Sequence, residues 1–145
     1  MKIVKLNVNY LDNIVALLKE QLGQQAWNKE QVLSSFNSGS TFFYGIFDGD
    51  LLICVASILV TIDDINLLDI ATKEQYKRKG FATKLLNYVI SLKKPEQTFS
   101  LEVKSKNIPA INLYKSVGFK TLNIRKRYYK DGDDALCMFL EKMLS

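Results

Sequence analysis

Residues 77–80, Lys-Arg-Lys-Gly, stand directly ahead of a segment whose apolar residues recur at helical spacing. Basic side chains carry the wrong charge for a helix start. The macrodipole already places about half a positive charge there, and each added cation costs roughly 0.3–1 kcal/mol unless an anion offsets it. A strand, a turn and a glycine at a helix start leave backbone N–H groups free to hold such an anion. Two phosphate-binding fingerprints are excluded. No glycine lies five positions before Gly80 and Lys79 precedes that glycine, so the turn is not a Walker A loop; a dinucleotide motif would need two more glycines. What remains, Lys77-x-x-Gly80-x-Ala82, fits a bound phosphate group or a plain helix start.

Glu102, Asn107 and Tyr114 form the second set with chemical potential. Glu102 alternates with Leu101 and Val103, which places it on the opposite strand face. Asn107 and Tyr114 are two turns apart on a predicted helix, about 10 Å along one face. Ile111 and Leu113 can then face the core while Tyr114 points elsewhere. By spacing alone the three read as a strand carboxylate, a helix cap and a surface aromatic. The chain has no histidine, so the commonest proton-transfer side chain is excluded, and Asp and Glu become the candidate bases. Cys54 and Cys137 lack metal or redox spacing and sit in apolar runs, as buried free thiols do. Neither has a base nearby in sequence, which disfavours a covalent route, and no metal is expected.

The elements that must position these residues follow from periodicity. "KIVKLNV" alternates as a strand, and "NYLDNIVALLKEQLG" places Leu11, Ile14, Val15, Leu18 and Leu22 at helical spacing, with Gly23 as a stop. Asn28 and Gln31 are spaced for a capping box ahead of a second short helix. Two strands flank Asp48-Gly49, a hairpin signal, and "INLLDIAT" is a further strand. The helix after Gly80 is predicted to run to about Lys93 and to bury Phe81, Leu85, Leu86, Val89 and Leu92. Then come the strand "TFSLEVK", a helix from Asn107 with Pro109 in its first turn and Gly118 as C-cap, and two strands, "KTLNIRKRY" and "ALCMFLEKM", around Asp131-Gly132. The order β α α β β β α β α β β predicts an α/β (α+β) domain: a mixed, mostly antiparallel sheet flanked by about four helices.

The 145 residues fit one domain, 1–145, and no repeat or linker divides them. No signal peptide is recognised, and the longest apolar run is far short of the ~20 residues that span a bilayer, so a cytoplasmic protein is expected. A net charge of +5 invites anionic partners or is simply a solvated basic face.

"LLDIATKEQYKRKGFATKLLNYVI" resembles the acyl-coenzyme A binding segment of the GCN5-related N-acetyltransferase (GNAT) family, which carries Gln/Arg-x-x-Gly-x-Gly/Ala at this turn. The resemblance implies that acetyl-CoA is the donor. Main-chain amides around Lys77, Arg78, Lys79, Gly80, Phe81, Ala82 and Thr83 would cradle its pyrophosphate, Ile70, Ala71 and Thr72 would pair with the pantetheine arm, and Asn107 would contact its end. Lys77 departs from the family's first position but keeps the charge sign. "LEVKSKN…A…LY…GF" is similar to the ribosomal-protein-alanine (RimI) type within that family. There the strand glutamate is general base and the helix tyrosine general acid, which implies these roles for Glu102 and Tyr114. The type also carries a basic cluster with a Tyr-Tyr pair and a Trp after the first helix. Tyr128, Tyr129 and Trp27 are therefore expected to bind the acceptor peptide, with departures at Ala26 and Lys130 on that side.

Acetyl transfer suits these side chains. A free α-amine, pKa near 8, is roughly 10% neutral at pH 7, whereas a lysine amine is below about 0.1% neutral, so a carboxylate is an adequate base for an N-terminus. The leaving thiolate, of pKa near 8.5, can take a proton from a phenol near 10. The resemblance implies transfer to the N-terminal α-amine of a protein, with the alanine of a small-subunit ribosomal protein as the expected acceptor, by direct attack in a ternary complex. A lysine or small-molecule amine is an alternative acceptor. A domain that senses acyl-CoA or binds nucleic acid through Arg125, Lys126 and Arg127 is the non-enzymatic alternative.

Overall fold

Each alternating segment pairs with a neighbour, and the computed structural model, which describes residues 1–140, contains one seven-stranded sheet. The elements are β1 (Ile3–Leu6), α1 (Leu11–Leu22), α2 (Lys29–Ser38), β2 (Thr41–Asp48), β3 (Leu51–Val60), β4 (Asp64–Thr72), α3 (Phe81–Ser91), β5 (Thr98–Lys104), α4 (Ile108–Ser116), β6 (Lys120–Arg125) and β7 (Ala135–Leu140). The strand order is β1-β2-β3-β4-β5-β7-β6. Every neighbouring pair is antiparallel except β4 and β5, which run parallel because α3 carries the chain back across the sheet.

The expected order of elements is the observed one, and local signals explain several boundaries. Asn28 caps α2 through a complete capping box with Gln31. Gly49 takes φ +59° in the β2–β3 turn. α3 stops at Ser91, so Leu92 lies past its last turn and is exposed, and Phe81 is only half-buried; both had been expected inside. The final residues of the last expected strand, 141–143, lie outside the described residues. Among the described residues no helix is long and apolar enough to cross a membrane.

Two apolar clusters sandwich the sheet. Ile14, Leu17 and Leu18 of α1 and Val32 of α2 pack with Phe43, Val55 and Ala71 on one face. Leu85, Leu86 and Val89 of α3 and Ile111 and Tyr114 of α4 pack with Ile58, Leu67, Phe99, Leu101 and Met138 on the other.

Candidate active site

The two central strands part company halfway along. β4 and β5 are paired only from Asp64–Thr98 to Leu67–Leu101. Beyond that point β4 stays bonded to β3 as far as Thr72, and β5 stays bonded to β7 as far as Lys104. The sheet therefore splits into two walls whose facing edges carry unpaired backbone N–H and C=O groups. A cavity of about 1180 Å³ occupies the split, lined by Leu68, Asp69, Ile70 and Thr72 from β4 and by Glu102, Val103 and Lys104 from β5.

A bulge at the mouth of the split decides what faces it. Ile58 pairs with Leu67 but Ser57 pairs with Asp69, so Leu68 is an extra residue on β4. Ile65 and Leu67 belong to the α3/α4 cluster, yet Ala71 belongs to the α1/α2 cluster. The bulge has reversed the alternation, and Asp69 shares Ala71's face. Glu102, between Leu101 and Val103 of the α3/α4 cluster, faces the same α1/α2 side.

At one end of the cavity lies the turn before α3. Arg78 and Gly80 both adopt the left-handed conformation, φ +62° and +86°. For Arg78 that costs on the order of 1–2 kcal/mol, strain of the kind held at binding turns. Gly80 is the N-cap and supplies no side-chain acceptor; the helical ladder begins with the Lys84 N–H to the Gly80 carbonyl at 3.0 Å. The first amides of α3 thus lack intrahelical partners, beside the cations the sequence placed there. The turn is pinned from behind: the Tyr76 hydroxyl donates to Asp48 at 2.6 Å, and Lys73 bonds Glu20 of α1 at 2.9 Å.

At the other end stand the candidate proton-transfer groups. Glu102 lies 3.7 Å from the Arg125 guanidinium with its side chain about one-third exposed. Tyr114 does not point away from the core as expected. α4 is seated so that its ring packs against Phe119 at 5.9 Å and is 7% exposed, while still lining the cavity. Burial, then the charges of Asp69 and Tyr129, push its phenol well above the ordinary value. Asn107 caps α4, accepting from the Ala110 N–H at 3.3 Å, and lines the cavity too. Tyr129 enters from the β6–β7 loop; burial, then Glu102, push its phenol up to about 12. That loop is clasped to β5 and its following turn by Lys104–Asp131 at 2.7 Å and by Asp133, which accepts from the Ser105 hydroxyl and the Lys106 N–H.

Ile70, Thr72, Lys77, Arg78, Gly80, Phe81, Ala82, Thr83, Asn107, Glu102, Tyr114 and Tyr129 therefore line one cavity. Four expected residues do not. Ala71 turns its methyl into the α1/α2 cluster. Lys79, between two left-handed residues, swings out to place its Nζ 5.8 Å over the Tyr76 ring. Tyr128 is 51% exposed and packs its ring against Arg125 and the edge of Tyr129. Trp27 packs beneath α1 and lines a separate groove with α2, because Gln24 and Gln25 occupy the cavity rim at the end of α1. The basic cluster is partly compensated, since Arg125 meets Glu102 and Lys126 meets Asp134 at 3.4 Å.

Sequence reasoning looked to a main-chain amide near Asp69 or Ile70 as a donor to the thioester oxygen but gave the Asp69 side chain no role. Burial lifts its carboxyl to about 6, and it has no hydrogen bond or ion pair among the described residues. The available signal was a lone carboxylate inside the apolar run Ile65–Ala71. The arrangement as a whole offers an anion cradle, a slot with free backbone edges, carboxylates on one side of the split and a buried phenol on the other.

Residues 11–119 match the family model described as the acetyltransferase (GNAT) family. The chain is 31% identical over 118 residues to a putative ribosomal protein bS18-alanine N-acetyltransferase of Bacillus subtilis, covering 79% of this chain and 78% of that protein. It is 42% identical over 78 residues to an N-alpha-acetyltransferase of Sulfurisphaera tokodaii, a match over 50% of this chain and only 46% of that protein's length. The fold superposes on the crystal structure of the ribosomal-protein-S18-alanine N-acetyltransferase of Escherichia coli with a TM-score of 0.88 at 27% identity, covering 99% and 95% of the two chains.

Proposed function

The chain belongs to the GNAT acetyltransferase family, and from that premise we propose that it transfers the acetyl group of acetyl-CoA to the N-terminal α-amine of a protein, by direct attack in a ternary complex. The observation that carries this reading is the single cavity that joins the uncapped start of α3 to Glu102 and Tyr114. The N-terminal alanine of a small-subunit ribosomal protein is the proposed acceptor, on the strength of the bacterial relatives' names.

The residues divide the work. Amides from Arg78 to Thr83 hold the donor's diphosphate, where the helix dipole and Lys77 favour negative charge. The open edge of Ile70–Thr72 receives the amide-bearing pantetheine arm by strand-like hydrogen bonds. An unpaired amide of the same edge can donate to the thioester oxygen as charge develops there. Glu102, reachable by solvent and oriented by Arg125, removes a proton from the arriving ammonium. Tyr114 donates to the departing sulfur from the opposite side of the split, and Tyr129 borders the acceptor's path.

The test is mass spectrometry of an alanine-starting ribosomal-protein peptide incubated with the protein and acetyl-CoA. A single added acetyl group on the α-nitrogen is expected. Acetylation confined to lysine side chains or polyamines, with the α-amine untouched, would refute the proposed acceptor.

A further inference from the structure

Moving an acetyl group from sulfur to a neutral amine leaves protons in the wrong places. The C–N bond forms and the C–S bond breaks; nitrogen must then lose one proton and sulfur must gain one. An acceptor arriving as an ammonium has a further proton to shed, which Glu102 can pass to solvent. Tyr114 can supply sulfur, but doing so leaves a phenolate in a buried site, and burial together with the neighbouring Asp69 charge makes that phenol a weaker acid than usual. An ordinary tyrosine is already a weaker acid than a thiol, near 10 against about 8.5. Tyr114 acting alone would give up its proton uphill.

The structure points to Asp69 as the group that closes this circuit: it takes the surplus proton from the attacking nitrogen and returns it to Tyr114 as Tyr114 protonates sulfur. This rests on the acetyl-transfer reading of the site. Three observations carry it. The bulge at Leu68 turns Asp69 onto the same sheet face as Glu102, beside the split, so that it lines the cavity that Tyr114 reaches from the other side. Its carboxyl is committed to no hydrogen bond or ion pair among the described residues. Directly across the ladder, Ser57 is 2% exposed, and its hydroxyl has no hydrogen-bond partner among the described residues, so it does not hold the Asp69 carboxyl.

The balance closes without a co-reactant. The N–H proton goes to Asp69, the Tyr114 O–H proton goes to sulfur, and the Asp69 proton goes to the phenolate, directly or through one water. Both side chains end as they began. Asp69 must be ionised to accept, and its carboxyl, held near 6 by burial, is ionised at neutral pH yet readily surrenders a proton to a phenolate. The other charged groups that share the cavity are Glu102 and Lys104 of β5, Lys130 and Asp131 of the β6–β7 loop, and Lys77 and Arg78 of the turn before α3.

The experiment compares wild type with Asp69→Asn, Tyr114→Phe and the double variant, using acetyl-CoA and the alanine-starting peptide. Asp69→Asn is expected to bind acetyl-CoA like wild type, to lower kcat about 100-fold, and to remove the acid limb of the kcat profile near pH 6. Because the pair acts as one relay, the double variant should be no slower than Tyr114→Phe alone. A kcat within about twofold of wild type with the limb intact, or losses that multiply in the double variant, would overturn the relay. Asp69→Glu, which keeps the acid but moves it, should restore part of the limb. Titration of isotope-labelled tyrosine by NMR needs no turnover: the Tyr114 phenol should become more acidic in Asp69→Asn. An unchanged phenol overturns the inference even where peptide acetylation is seen, and a wild type that acetylates no α-amine but shows the phenol shift refutes the acceptor reading alone.

Discussion

Replacing Asp69 by asparagine should make the protein more stable at pH 8 and leave it nearly unchanged below pH 4. Burial raises the carboxyl to about 6, against an ordinary value near 3.9, so the folded state holds the proton more tightly than the unfolded chain does. A group shifted in this direction contributes stability that is fully present below its unfolded pKa and is lost as pH rises through its folded pKa. A difference of about two pKa units at 1.36 kcal/mol each makes the ionised Asp69 a burden of about 3 kcal/mol at neutral pH, roughly half of it already in place by pH 5. Asparagine keeps the shape without the charge, and Asp69 has no hydrogen bond among the described residues to forfeit. For a chain of this size about 3 kcal/mol corresponds to a Tm gain of roughly 6–12 °C. Urea unfolding of both proteins from pH 4 to pH 8 supplies the assay. Taking the difference at each pH cancels the other carboxylates, including Asp131, Asp133 and Asp134, whose values are lowered by their partners. A difference that does not grow with pH, or a variant less stable than wild type at pH 8, would show that Asp69 is not held in a desolvated site.

Gly80→Ala places a Cβ that meets no atom within 4 Å, so its whole effect comes from holding an L residue at φ +86°. That strain, about 1–2 kcal/mol, should be divided between a lower Tm and a weaker acetyl-CoA Kd, and calorimetry with thermal melting should find the two losses summing to that range. Both quantities unchanged would mean the turn is not used in this form. Tyr114→Phe retains the ring packed on Phe119, so Tm should hold while kcat falls about 100-fold, with steady-state kinetics and acetyl-CoA titration as the checks. Asp131 and Asp133 are held below the usual carboxylate range, first by Lys104 and by Ser105 respectively. Their clasp on the Tyr129 loop is therefore fully present above the ordinary carboxylate pKa and should be lost as pH falls through their lowered folded values; proton exchange of the Tyr129 amide should rise there while that of the central strands does not.

What the sequence made legible was local. The capping box at Asn28 and Gln31, the glycine start of α3 and the Asn107 cap each depend on residues three or four positions apart, and all three stand where periodicity put them. The cavity itself depends on a pairing that stops: nothing in "INLLDIAT" or "TFSLEVK" says that their bonds end at Leu67 and Leu101. Tyr114 turned inward and Trp27 turned away from the cavity for a similar reason, because the seat of α4 on the sheet and the path of the α1–α2 link are set by distant partners.

Asp69 shows most plainly why periodicity could not reach the site. Read with strict alternation, positions 65, 67, 69 and 71 share a face, and a carboxylate there would lie beneath α3 among Ile58, Leu85 and Phe99. Such a placement would leave a charge in an apolar core, which the sequence could resolve only by ending the strand or breaking its phase. The chain breaks the phase. Leu68 is inserted opposite no partner on β3, the face reverses, and the carboxylate emerges at the point where β4 loses its bonds to β5. The bulge and the split fall at the same place on β4: pairing with β5 stops at Leu67, and the next residue, Leu68, is the extra one that shifts Asp69 to the other face where the slot begins.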